Sequence, residues 1–133
     1  LQAPDTAFLV VAAPERDALR EASYFVERLE SDNMPLAGLV LNRVQTTTVP
    51  ELDAATATAA AARLEAQPGT SVTAALLRIH ADRVATLERQ RRMAERFTSV
   101  HRTIEVATVP VLPADVVDLD GLRLVGQALA DRL

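Results

Sequence analysis

Asn42 and Arg43 close the apolar run PLAGLVLNR at 35–43, and they are the polar residues whose setting most invites chemistry. An Asn carboxamide can accept from the N6 amine of adenine and donate to N7 at the same time. In an open α/β sheet, ligands gather outside the carboxyl ends of the strands. If 36–42 is a strand, Asn42 stands at such an end. The backbone of a later loop, Pro110, Val111, Leu112 and Pro113, could then form the other wall of a slot for a base. An Asn that merely caps the exit of a strand accounts for the same residues, and the local sequence leaves both readings open.

Other polar groups point less clearly to a site. His80 and His101 lie far apart in sequence without acidic neighbours at metal spacing, and a zinc site needs three or four ligands. Both are read as solvated, and no metal site is expected. Arg89, Arg91, Arg92 and Arg96 could hold a phosphate or an acidic partner. With Asp82, Glu88 and Glu95 interleaved, they read first as a solvated helix face. Glu15 and Glu21 suit the first helix, Glu15 by lying where a helix dipole favours negative charge. No GxSxG elbow is present. None of the glycines, Gly38, Gly69, Gly121 and Gly126, belongs to a GxxxxGK[ST] or GxGxxG pattern, and the chain has no lysine to hold a β/γ-phosphate. No catalytic residue is assigned.

These groups must be positioned by a scaffold of 133 residues, enough for one domain with a real core. Apolar residues make up 49% of the chain but aromatics only 3%, so Leu, Val, Ile and Ala must build that core. The absence of cysteine excludes disulfides and thiolate sites. A net charge of −4 argues against a general nucleic-acid binder. The opening LQAPDTAF lacks the basic n-region and long apolar core of a signal peptide, and no apolar run in the sequence is long enough to span a bilayer. A cytoplasmic protein is expected. The chain lacks an initial Met and its first strand begins almost at once, so it reads as a piece of a longer protein, with a trimmed complete domain as the alternative.

Apolar patterning predicts the order β-α-β, helical insertion, β-α. The run 6–13 reads as a strand buried on both faces, as in a parallel sheet. Residues 15–32 carry Ala18, Leu19, Ala22, Phe25, Val26 and Leu29 at helical spacing. The strand 36–42 completes a βαβ unit. An insertion over about 45–100 begins as loop. A short Ala-rich helix follows, with little bulk to anchor it, and ends at Pro68-Gly69. Thr70 or Ser71 then caps a longer helix reaching about Phe97, with Val72, Leu76, Ile79, Val84 and Leu87 as its apolar positions and a charged, only partly packed second half. A third strand is read at 103–111 and a closing amphipathic helix at 119–133 through Leu122, Leu124, Val125, Leu129 and Leu133.

The order and spacing of these elements bear a resemblance. The stretches TAFLVVAAPERDALREASYFVERLESDNMPLAGLVLNRV and VATVPVLPADVVDLDGLRLVGQAL resemble the C-terminal part of the ArsA-like anion-transporting ATPases, a family that includes the ATPases targeting tail-anchored membrane proteins. The matching residues are Pro14-Glu15, Glu21, Asn42-Arg43, and Pro110, Pro113 and Asp115, with Gly121 slightly displaced. The resemblance covers nearly the whole chain and rests on the joint order of short motifs.

It implies the back part of a P-loop ATPase: a partial three-strand parallel sheet lacking the P-loop half, in a single α/β domain fragment spanning 1–133. It further implies that Asn42 and Arg43, with Pro110, Val111, Leu112, Pro113 and Asp115, form the adenine side of an ATP site, and that Glu15 lies near nucleotide across a dimer interface. ATP or ADP with Mg²⁺ would bind the full protein, and this chain alone would hold no cofactor tightly. Phosphoryl transfer depends on phosphate loop, lysine and metal, so the chain alone would not hydrolyse ATP. The implied partners are the N-terminal P-loop half, a second subunit in a homo- or hetero-dimer, and a protein cargo or membrane partner at the insertion. No nucleic acid is expected. The alternative is a stand-alone α/β interaction module that binds no nucleotide.

Overall fold

Three apolar runs pair side by side in the computed structural model, which describes residues 6–112 and 114–130. They form β1 (Phe8–Ala12), β2 (Leu36–Val44) and β3 (Val106–Pro110), a parallel sheet of order β1-β2-β3. Four helices accompany it among the described residues: α1 (Arg16–Ser31), α2 (Ala54–Glu65), α3 (Ser71–Val100) and α4 (Leu119–Ala130). The chain is therefore α/β, with the element order that the patterning predicts. It divides into two compact units, Leu1–Val44 with Gln90–Leu133, and Gln45–Arg89.

The sheet unit has its core on one face. Side chains alternate along a strand, so Val10, Ala12, Leu39 and Leu41 point together toward Leu19, Ala22 and Val26 of α1. The last third of α3 completes this layer through Met93, Ala94 and Phe97. That segment is better packed than its charged sequence suggests, because Phe97 sits on the buried side while Arg91, Arg92, Glu95 and Arg96 stay exposed.

Two expectations for this unit are corrected. β1 is not buried on both faces: Leu9 and Val11 are 56% and 58% exposed. On that face α4 packs against β3, and its helical stripe does not extend over β1. Phe25 is 57% exposed although it lies at helical spacing with the core residues. It falls on the shoulder of α1, beyond the Leu19–Ala22–Val26 stripe, where a three-stranded sheet is too narrow to cover it.

The histidines are also not the solvated groups that spacing suggests. His101 is buried, its ring lies 4.6 Å from that of Phe97, and its Nε2 is 3.1 Å from Ser23 Oγ. His80 is half-buried and donates from Nε2 to the Leu52 carbonyl at 2.7 Å. Each satisfies a structural hydrogen bond, which sequence separations of 78 and 28 residues conceal.

The helical unit is built on small residues. Its buried positions are Ala57 and Ala61 on α2 and Ala74, Ala81 and Val84 on α3. Alanines thus supply most of the buried positions here, two of them from α2 despite its low bulk. The larger Val72, Leu76 and Ile79 are left on the outside, contrary to the apolar stripe assigned to α3. Arg78 bridges to Glu65 through two hydrogen bonds of 2.8 and 2.9 Å. Gly69 makes the turn between the helices at φ 81°, where a side chain would be strained. The Thr70 hydroxyl turns backward, donating to carbonyls of Leu64 and Gln67. Thr70 thus holds the N-cap position of α3, its carbonyl accepting from the Ala74 N–H at 2.9 Å, while its hydroxyl closes α2.

Asp53 starts α2 by accepting from the Thr56 backbone N–H at 2.7 Å and the Thr56 hydroxyl at 2.9 Å. The backbone bond, then the hydroxyl, hold its carboxyl below the usual aspartate value. A lowered folded value means the cap contributes fully above the ordinary aspartate range and is lost as pH falls through the lowered value. Amide shifts of 54–57 followed by NMR in acid should report that loss. Asp53→Asn keeps a good N-cap and should abolish the pH dependence; an unchanged titration would contradict the assignment.

Candidate functional site

The cleft is built on the sheet face opposite α1. Register pairs Val11 with Val40, and Val40 with Ala107. Stepping by two along the central strand places Gly38, Val40 and Asn42 on this same face. Leu9, Val11, Val40 and Val109 form the floor of a cleft of about 490 Å³, α4 forms one side through Leu122, Val125 and Leu129, and the β3–α4 loop closes the carboxyl end. The apolar walls come from alternation within the strands, and the polar groups come from where β2 and β3 end.

β2 does not leave the sheet cleanly. The regular register ends at Leu41–Thr108 and resumes, shifted, at Val44–Pro110. Within the shift Arg43 adopts φ 62°, the left-handed region that L side chains occupy only at a cost. The Asn42 side chain accepts from the Arg43 backbone N–H at 2.9 Å through Oδ1, and the Val44 carbonyl accepts from Val111 N–H at 2.9 Å. Because β2 runs on to Val44, the first of these bonds spans the register shift inside the strand and is not a cap on its exit. It does not exhaust the side chain, because an amide oxygen has two acceptor sites and the NH₂ group two donors. It orients the carboxamide of a residue whose side chain lines the cleft.

Arg43→Gly should raise stability by about 1 kcal/mol, since glycine occupies the left-handed region without steric cost. Urea unfolding checks this; a loss of stability would mean that the arginine side chain holds the bulge.

The structure brings together most of the residues singled out in the sequence. Asn42, Arg43, Pro110, Val111, Leu112 and Asp115 all line the cleft. Pro113 lies outside the described residues. Glu15 does not belong with them. It is the exposed N-cap residue of α1, makes no side-chain capping bond, and sits at the carboxyl end of β1 without lining the cleft.

Sequence reading missed the hydrophobic walls, above all Leu9, Val11 and Leu122. Strand alternation relates Asn42 to Val40, but only the register to β1 carries the relation on to Val11 and Leu9. Asp118 stands just before α4 (Leu119–Ala130). It starts α4 by accepting from the Gly121 N–H at 2.8 Å, and so fixes the beginning of the helical wall.

Among the cleft's described walls, Arg43 is the one cation and Asp115 the one carboxylate. The donor set thus suits a flat, largely apolar group with a hydrogen-bonding edge. It does not suit a polyphosphate. No three His, Asp or Glu side chains among the described residues are grouped to hold a metal ion, and no helix among them is long and apolar enough to cross a membrane. No protein-family model matches the chain, and no curated protein matches it significantly.

Proposed function

We propose that this chain is the C-terminal, adenine-side portion of an ArsA-like ATPase, a P-loop NTPase of which the phosphate-binding half lies elsewhere. The observation that carries the reading is the place of Asn42. Its carboxamide lines an apolar cleft at the carboxyl end of the central parallel strand, opposite the segment after Pro110. The strained backbone of Arg43 beside it adds support, since strain of this kind clusters at ligand sites.

In this reading the adenine ring lies between the apolar floor and the Val111–Leu112 wall, and Asn42 reads its N6/N7 edge. Arg43 and Asp115 flank the mouth. ATP or ADP and Mg²⁺ are held in the whole protein, where the N-terminal half supplies phosphate and metal ligands; this chain contributes base recognition and no hydrolysis. Its partners are that P-loop half and a second subunit. The insertion meets a protein cargo or a membrane partner, and the protein is cytoplasmic.

NMR titration of the full chain with adenosine and with guanosine tests this. Adenosine is expected to bind weakly and saturably. Asn42→Ala should weaken it about tenfold, in line with the roughly 1–3 kcal/mol of a bidentate amide–adenine pair, with folding unchanged by circular dichroism. Equal binding of guanosine, or an affinity indifferent to the substitution, would reject the reading.

A second reading has an observation of its own. Val72, Leu76 and Ile79 form an exposed apolar stripe along α3, as expected of an interaction module that needs no nucleotide. In that case neither nucleoside binds, and substitutions along the stripe abolish partner capture in pull-downs from the source cell.

A further inference from the structure

On the sheet face away from the cleft, α1 and the last third of α3 leave a groove of about 300 Å³. Leu19, Met93 and Phe97 form its floor, and Val100 stands at one lip, 72% exposed. Three arginines, Arg16, Arg20 and Arg96, also line it. Arg20 reaches Asp17 at 3.1 Å in an exposed pair. Arg16 and Arg96 have no ion-pair partner among the described residues. The chain as a whole is acidic, with a formal charge of −4, so this local cluster opposes the sign of the rest.

We propose that this groove docks an acidic amphipathic helix of a partner protein. The lining is entirely helical side chains, so no free strand edge is offered and an extended peptide has no backbone ladder to join. A third helix can instead lay an i, i+3/i+4 apolar stripe along the trough between two helices, the usual helix-in-groove mode. Leu19, Met93, Phe97 and Val100 would take that stripe. Arg16, Arg20 and Arg96 would then face carboxylates flanking it, and charge complementarity of this kind steers encounter and selects the partner's sign. The groove and the cleft lie on opposite faces of the sheet, so this docking stands or falls independently of nucleotide.

The test is NMR titration of the full ¹⁵N-labelled chain with a synthetic Leu/Glu amphipathic peptide of about 14 residues, long enough to form helix in the groove, and with its Leu/Lys counterpart. The Leu/Glu peptide should shift the amides of Leu19, Ser23, Phe97 and Val100 and weaken with added salt. Arg16→Glu combined with Arg96→Glu should reduce binding at least about tenfold and favour the Leu/Lys peptide. Both arginines are exposed, so this variant should fold. Val100→Asp is a second variant that should weaken the Leu/Glu peptide without removing an arginine. Shifts located elsewhere, equal binding of both peptides, or affinity unchanged in both variants would overturn the proposal, as would absence of binding at low salt.

Discussion

Leu39→Ala is expected to lower the unfolding free energy by about 3 kcal/mol, in the range found for truncating a buried leucine. Leu39 is only 1% exposed and lies in the central strand, at the meeting point of β1, β3 and α1. Its truncation removes apolar contact and leaves a cavity that two flanking strands can close only by moving together. Chemical denaturation should show the loss with an unchanged slope against denaturant. A cost below about 1 kcal/mol would mean that the sheet repacks, and that β2 is not the rigid element from which Asn42 projects.

Gly38→Ala should cost about 2 kcal/mol for the opposite reason. A Cβ at Gly38 would stand 2.7 Å from the Glu105 carbonyl oxygen. That oxygen is backbone and already accepts from the Leu39 N–H at 2.9 Å, so it cannot turn aside as a side chain would. Overpacking of this kind costs about 1–3 kcal/mol, only partly offset by the smaller unfolded-state entropy of alanine. Gly38 shares its face with Val40 and Asn42, so relief of the clash also displaces β3 from the cleft floor. Thermal unfolding checks the stability, and the β3 amide shifts check the displacement. A variant as stable as the original, with β3 unmoved, would contradict this packing.

The contrast between these neighbours explains what could be read from the sequence. Leu39 and Leu41 are legible as buried because an apolar run bounded by turns must sit in a sheet. Gly38 carries no such signal, since its constraint comes from a carbonyl 67 positions along the chain. Phe25, Leu9 and Val11 misled for a related reason: periodicity shows that a residue could be buried, not whether another element covers it. In the helical unit the bulky α3 stripe had the right spacing, yet Val72, Leu76 and Ile79 are exposed while alanines hold most of the buried positions.

Asn42 and 110–115 were legible as two candidate walls because both follow apolar strands. The positive φ of Arg43 and the hydrogen bond from its N–H to Asn42 were not, since they arise where β2 shifts register against β3. That irregularity relates the carboxamide to the cleft, and no residue type at 42–44 announces it. Glu15 was grouped with the site through the family resemblance, and its exposed place at the start of α1 supplies no cleft contact of its own.

The central claim is that this cleft receives an adenine ring whose edge Asn42 reads. Intermolecular NOEs between adenosine and the methyl groups of the full chain test it most directly. The adenine H2 and H8 protons should contact the methyls of Val11, Val40, Val111 and Leu112, and at equal concentrations these NOEs should fall in Asn42→Ala in step with its about tenfold weaker binding. Adenosine NOEs to methyls outside the cleft, or NOEs within it that persist undiminished in Asn42→Ala, would contradict the account.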